Sequence, residues 1–472
     1  MKISGLSLGV ILLLLMTASP AAAQDGVQTL KFRFGPIKIA PGQNNIVFEG
    51  DDLKPPVDGW IVGFRPNLER RDGSIAPVDV IHLHHAVWLV NGAPTWAAGE
   101  EKTELRAPAG YGWRQRTTDR WVLNHMIHNL TPNPDEVYVT YEIDFIPDTA
   151  PAATGMQEVR TVWLDTVGAV YPVFDVKRGS GGPDGRFTFP DEARGAPRNG
   201  WTAPADGVLV GAAGHLHPGG LWTDLKLTRD GRTARLFRSA AKYFEPAGAV
   251  SWDVAMTVTR PDWKVQIRRG DVLSVSGTYD SRRASWYESM AIMSAAFNAG
   301  GTGGADPFAT AVDAPGVVTH GHLRENDGHG GAFGGLPDPR GLLAGATGGP
   351  VTIAGFTYGR GDLNLTGRRG RPPVVRRGRG LTFVNRDARR DVMHTITACR
   401  APCTRTTGIA YPLADGKVDF DSGNLGYGPR GLTAASNRIR WTTPKRLAAG
   451  TYTYFCRVHP FMRGSFRVQR RG

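Results

Sequence analysis

The chain shows no long stretch of helical periodicity. Its apolar residues come in short β-branched and aromatic runs separated by turn residues, and 61 Gly and 33 Pro supply the breaks. Runs such as VDVIHLHHAVWLVNG, EVYVTYEIDFIP and GDVLSVSGTYDS argue for β-sheets joined by turns. At 472 residues the chain is too long for one hydrophobic core, so two to four β domains are expected.

Composition shifts divide it further. Residues 1–23 carry one Lys, an apolar run and Ala21-Ala22-Ala23 before Gln24, the pattern of a secretory signal peptide. That apolar run is too short for a dependable membrane span, and no later segment approaches the roughly 20 apolar residues a transmembrane helix needs. The expectation is an exported protein, secreted or held in the periplasm or cell envelope, without a transmembrane span. Residues 24–176 read as a first β-sandwich lobe, 177–200 as a turn-rich stretch and 201–298 as a second lobe. A Gly- and His-rich linker, 299–350, then leads to a third β-sandwich over 351–472.

Charge is unevenly spread. The last block holds 23 Lys and Arg against 6 Asp, a net +17, which leaves about −4 for the rest of a chain whose total is +13. So basic a domain fits an acidic partner protein or an anionic surface, and export argues against specific nucleic-acid binding. The three cysteines are equally telling. In an oxidising compartment Cys399 and Cys403, in CRAPC, can close a small disulfide loop, and Cys456 remains as an odd thiol to explain.

The explanation lies in YFCRVHPFM. Cys456, His459 and Met462 stand three residues apart at the end of a strand-like run, and His394 in DVMHTIT supplies a second imidazole from another strand. One thiolate, two imidazoles and a weak thioether suit a redox-cycling copper; zinc makes poor use of a thioether. This pattern resembles the cupredoxin family over about 120 residues, and its short C-x-x-H-x-x-M loop is amicyanin-like. The resemblance implies a Greek-key β-sandwich with one type 1 copper on His394, Cys456, His459 and Met462. A multicopper oxidase is disfavoured, because Phe455 and Arg457 flank Cys456 where such enzymes carry histidines.

The remaining histidines cluster. His215 and His217 in GHLHPGG are two apart, which on a strand puts both rings on one face. His84 and His85 are adjacent, and either His125 or His128 in WVLNHMIHN can complete a three-His set; His82 shares the face of His84 on a regular strand and is an alternative to His85. The order HH, lone His, HxH, then Met290 is similar to the copper type II ascorbate-dependent monooxygenases, the family of peptidylglycine α-hydroxylating monooxygenase and dopamine β-hydroxylase. Unlike that family, the chain has no cysteine before Cys399. The resemblance implies a two-lobed β-sandwich with up to two further coppers. His84, His85 and His128 would hold an electron-transfer copper, and His215, His217 and Met290 the catalytic, oxygen-binding one. His320, His322 and His329 in the linker are either an additional metal-capture tract or part of a solvated Gly-rich segment.

Two functions follow. In one, a redox partner protein or small reductant feeds the cupredoxin, which supplies a monooxygenase-like module that acts on O₂ and a small organic substrate. In the other, the chain is a non-catalytic electron-transfer or copper-handling protein with a β-sandwich binding module.

Overall fold

Period-two alternation produces sheets with one apolar face, and the chain buries those faces in three sandwiches. The computed structural model describes residues 26–50, 53–196, 198–244, 248–319, 336–363, 370–403, 418–426 and 439–470. The expected signal peptide, 1–23, and His320, His322 and His329 lie outside these residues. Among them the fold is all-β, and the helical elements are two 3-10 turns, Pro151–Ala153 and Asp387–Arg390. No helix is long and apolar enough to cross a membrane.

In the first lobe, strand Asp135–Pro147 lies antiparallel between Gln28–Ile39 and Gly59–Glu69. A four-stranded sheet covers it, ordered Ile46–Gly50, Trp121–Asn129, Ile81–Val90 and Ala93–Ala98. Aromatic side chains fill the space between. Phe64 stacks on Trp96 and meets Trp88 edge-on, both with ring centroids 4.9 Å apart, the offset and edge geometries that aromatic quadrupoles favour.

In the second lobe, Gly220–Arg229 pairs with Arg232–Tyr243 and Val272–Asp280, while Gly207–Leu216 pairs with Trp286–Ala299. Leu225, Leu227, Leu236, Phe237 and Leu273 are buried in this lobe's core. Strand Gln157–Asp165 serves both lobes, running parallel to Tyr111–Gln115 in the first and antiparallel to Trp286–Ala299 in the second. The lobes therefore share hydrogen-bonded sheet structure.

The C-terminal sandwich sets three strands, Val351–Ile353, Thr382–Asn385 and Arg440–Thr442, beside a sheet of five. The five run in the order Val374–Arg376, Arg463–Gln469, Gly450–Phe455, Thr397–Arg400 and Phe420–Asp421. The central strand, Gly450–Phe455, is buried on both faces towards its end, with Tyr454 against Phe383 and Phe466 and Phe455 against Leu336. This sandwich also docks on the lobes. Arg457 Nη1 donates to the Ser285 carbonyl at 3.0 Å and its guanidinium lies over the Trp286 ring. Arg178 Nη1 donates to the Val418 carbonyl at 2.6 Å. On the other side, Gly42 of the first lobe approaches Phe356 so closely that a Cβ there would stand 2.6 Å from the ring.

Candidate metal centre

Strand Gly450–Phe455 delivers its chain into a tight loop. Cys456 N donates to the Met462 carbonyl at 3.2 Å, and Met462 N to the His459 carbonyl at 2.9 Å, so the loop folds back on itself. His394 is brought in from the neighbouring segment, whose backbone exchanges two hydrogen bonds with Leu425. The Nδ1 atoms of His394 and His459 stand 3.9 and 3.7 Å from Cys456 Sγ and 3.1 Å from each other. Among the described residues, these three form the one group whose ligand atoms all lie within 4.8 Å of one another. All three are buried, and so is Met462.

The surroundings favour a thiolate. Backbone N–H groups of Thr395 and His459 each donate to Sγ at 3.3 Å. Burial works against ionisation, yet hydrogen bonds with His394 and His459 hold the Cys456 thiol well below its ordinary range. His394 Nε2 donates to Asp387 Oδ2 at 3.1 Å, which fixes the ring with Nδ1 toward the sulfur. Asp387 is itself held by Arg390 and by the N–H groups of Gly355 and Phe356. The Phe356 ring stands edge-on to both imidazoles. A buried thiol beside two imidazoles, with Met462 buried in the same loop, matches the soft-ligand preferences of copper. Cys399 and Cys403 are joined to each other, and Cys456 is free.

The lobe histidines are positioned by an irregularity. On Ile81–Val90 the core residues are Ile81 and Leu83, then Ala86 and Trp88. The change of parity is a β-bulge: pairing passes from Leu83 opposite Ile127 to His85 opposite Met126, leaving His84 as the extra residue. His82, His84 and His85 all lie off the core face as a result. On Trp121–Asn129, the residues Trp121, Leu123 and Ile127 enter the core, so His128 points the other way, directly opposite His82. His125 has the opposite parity and bonds Glu49 at 3.0 Å. Of the two candidates, His128 is the one beside His84.

Together the histidines form one contiguous band with two mouths. Toward the C-terminal sandwich stand His82, His84, His128 and His217, with ring centroids 4.6 Å apart for His82 and His128, 4.7 Å for His84 and His128, and 4.5 Å for His84 and His217. Trp252 stacks on His82 at 4.7 Å. At the other mouth His85, His215 and Met290 line a smaller cavity with Trp163, Tyr171 and Ile292. The two mouths connect through His84 and His85, whose Nδ1 atoms are 3.2 Å apart, and through the rings of His215 and His217 at 5.2 Å. The structure thus sorts these residues differently from the expected grouping: His85 sits with His215 and Met290, and His217 with His84 and His128.

Burial, reinforced by neighbouring rings, holds His84, His128 and His217 well below the usual imidazole range; for His128 the neighbours include His459 of the C-terminal sandwich. Burial also takes His82 down to about 3 and His85 to about 4. The rings are therefore neutral, the form that ligates metals. His82 Nδ1 donates to the Val78 carbonyl at 3.2 Å, His217 Nδ1 to the Glu288 carbonyl, and His215 Nδ1 meets Glu101 Oε1 at 2.9 Å. The Nε2 atoms of His82, His128, His215 and His217 are buried without a hydrogen-bond partner among the described residues. Sequence reasoning missed Asp387, Glu101 and Trp252. Asp387, seven residues before His394, and Glu101, in a Glu-Glu-Lys run amid apolar strands, left a faint signal; Trp252 left none.

Neither a family model nor a curated protein sequence matches the chain. Among solved structures, the major capsid protein P2 of bacteriophage PM2 overlaps 59% of this chain and 100% of its own at 8% identity and a TM-score of 0.26. A copper-containing nitrite reductase from Thermus scotoductus SA-01 overlaps 56% of this chain and 55% of its own at 16% identity and a TM-score of 0.15. At TM-scores this far below 0.5 the overlaps define neither a family nor a shared site.

Proposed function

We propose that the chain is an exported copper-dependent oxidoreductase, in which a cupredoxin domain exchanges electrons with the histidine band of the two lobes. The observation that carries this reading is the buried convergence of His394 Nδ1, Cys456 Sγ and His459 Nδ1, with Met462 in the same loop. Copper held there supplies one-electron redox chemistry. The protein's part is to keep the ligands still: Asp387 pins His394, two N–H groups hold the sulfur, and Phe356 shields both rings from water.

The loop between Cys456 and His459 faces the lobes. Arg457, Val458 and Pro460 line the same cavity as His82, His84, His128 and His217, so electrons have a short way to travel. Tethering and docking the carrier also remove the wait for a diffusional encounter. The cavity of His85, His215 and Met290 has mostly apolar walls, which suits a small organic substrate meeting O₂ there. A small reductant or an acidic redox protein would supply the electrons, the latter steered by the basic C-terminal domain. Oxygen uptake by the copper-loaded full chain, driven by ascorbate or by a reduced electron-transfer protein, tests this reading. Uptake that stops in Cys456→Ser supports it. Bound copper without uptake in the parent chain would leave an electron-transfer or copper-handling protein.

A further inference from the structure

We infer that His82, His128 and His217, with His84 beside them, form a mononuclear transition-metal site that straddles the two lobes and opens into the cavity beneath the Cys456–His459 loop. The inference deepens the proposed function and rests on it only for the identity of the metal as copper.

Three observations meet at this place. First, His82 and His217 each commit Nδ1–H to a backbone carbonyl, those of Val78 and Glu288. A neutral imidazole that donates from Nδ1 must carry its lone pair on Nε2, and the hydrogen bond fixes the ring in that tautomer. Second, the Nε2 atoms of His82, His128 and His217 are all buried and have no hydrogen-bond partner among the described residues. A buried polar nitrogen left unmatched is costly, so three in one cluster call for something that binds them. Third, all three line one cavity of about 130 Å³. That is room enough for a metal ion and a small additional ligand.

The donors come from separate parts of the chain. His82 and His84 lie on Ile81–Val90, His128 is the cross-strand partner of His82, and His217 follows the second-lobe strand Gly207–Leu216. Their rings pack with centroids 4.5–4.7 Å apart, but their nitrogens stand farther apart than those of the His394–Cys456–His459 cluster, so an ion bound here would have to draw the Nε2 atoms inward. Imidazole-only donor sets favour copper or zinc over magnesium or calcium. Met393, Thr395 and Arg457, the sequence neighbours of His394 and Cys456, form part of the opposite wall. An ion here would face the backbone of the C-terminal ligand loop.

The test uses the full chain carrying Cys456→Ser and His459→Ala, loaded with one equivalent of Cu(II), so that the C-terminal site offers neither its thiolate nor its pair of imidazoles. Pulsed EPR should report coupling to the remote nitrogens of at least two imidazoles bound through Nε2. His82→Ala and His217→Ala should each weaken Cu(II) retention by about tenfold or more, while His125→Ala leaves it unchanged. In the parent background the same substitutions should keep the visible band of the Cys456 site, which shows that the chain has folded. Absence of that band from the parent chain would defeat the proposed function alone. Cu(II) coupled to no imidazole in the chain lacking both Cys456 and His459, or retained there undiminished after losing both His82 and His217, would overturn this inference alone.

Discussion

The His394–Cys456–His459 cluster and the histidine band of the lobes are both buried and both imidazole-rich, yet they are assembled differently. In the C-terminal sandwich two of the three converging donors come from one four-residue stretch, and backbone N–H groups and Asp387 hold donors already within ligand distance of one another. In the lobes the donors come from two strands and the segment after a third, and rings pack where nitrogens must still turn inward. A loop can preorganise a metal site locally, whereas a site between lobes depends on the scaffold that holds the lobes together.

That contrast can be broken most forcefully at the scaffold. Lys102, 1% exposed, pairs with buried Glu100 at 2.5 Å, and Glu100 accepts the Leu83 N–H beside the bulge. Lys102→Met leaves a buried carboxylate without its cation and should cost about 3–5 kcal/mol in chemical denaturation. It should loosen the lobe histidines while sparing the Cys456 site; equal damage to both regions would erase the distinction.

Asp387→Asn probes the local site in turn. It replaces the charged acceptor of His394 Nε2 and should weaken copper retention at that site by about 10–100-fold, measured by competition with a chelator, without changing lobe copper. A smaller effect is expected from Gly99→Ala. Its Cβ would fall 2.6 Å from His215 Cε1, so the ring must shift, at about 1–3 kcal/mol, visible as a changed His215 resonance and a lower melting temperature. The smallest is Arg457→Ala, which removes the Ser285 carbonyl contact and the Trp286 ring contact. We expect about 1 kcal/mol, read as faster hydrogen exchange where the sandwich meets the lobes.

The same contrast explains what the sequence disclosed. Cys456, His459 and Met462 were legible because a strand and its following turn carry them within seven residues, and the solitary thiol demanded a use. The all-β class was legible from alternation alone. The grouping of the lobe histidines was not, since regular alternation puts His85 opposite His84 and only the bulge brings both off the core face. The choice between His125 and His128 was within reach: Trp121, Leu123 and Ile127 mark the core face, and His125 shares their parity. Contact between His84 and His217 joins residues 133 positions apart, and no local pattern reports it.

The proposed function stands on copper binding by Cys456 together with His394 and His459. The decisive measurement is the visible spectrum of the full chain, oxidised and titrated with Cu(II). A thiolate–copper band near ~600 nm that saturates at one equivalent and is abolished by Cys456→Ser is the predicted result. A parent chain that stays colourless with copper bound, or a Cys456→Ser chain that keeps the band, would contradict it.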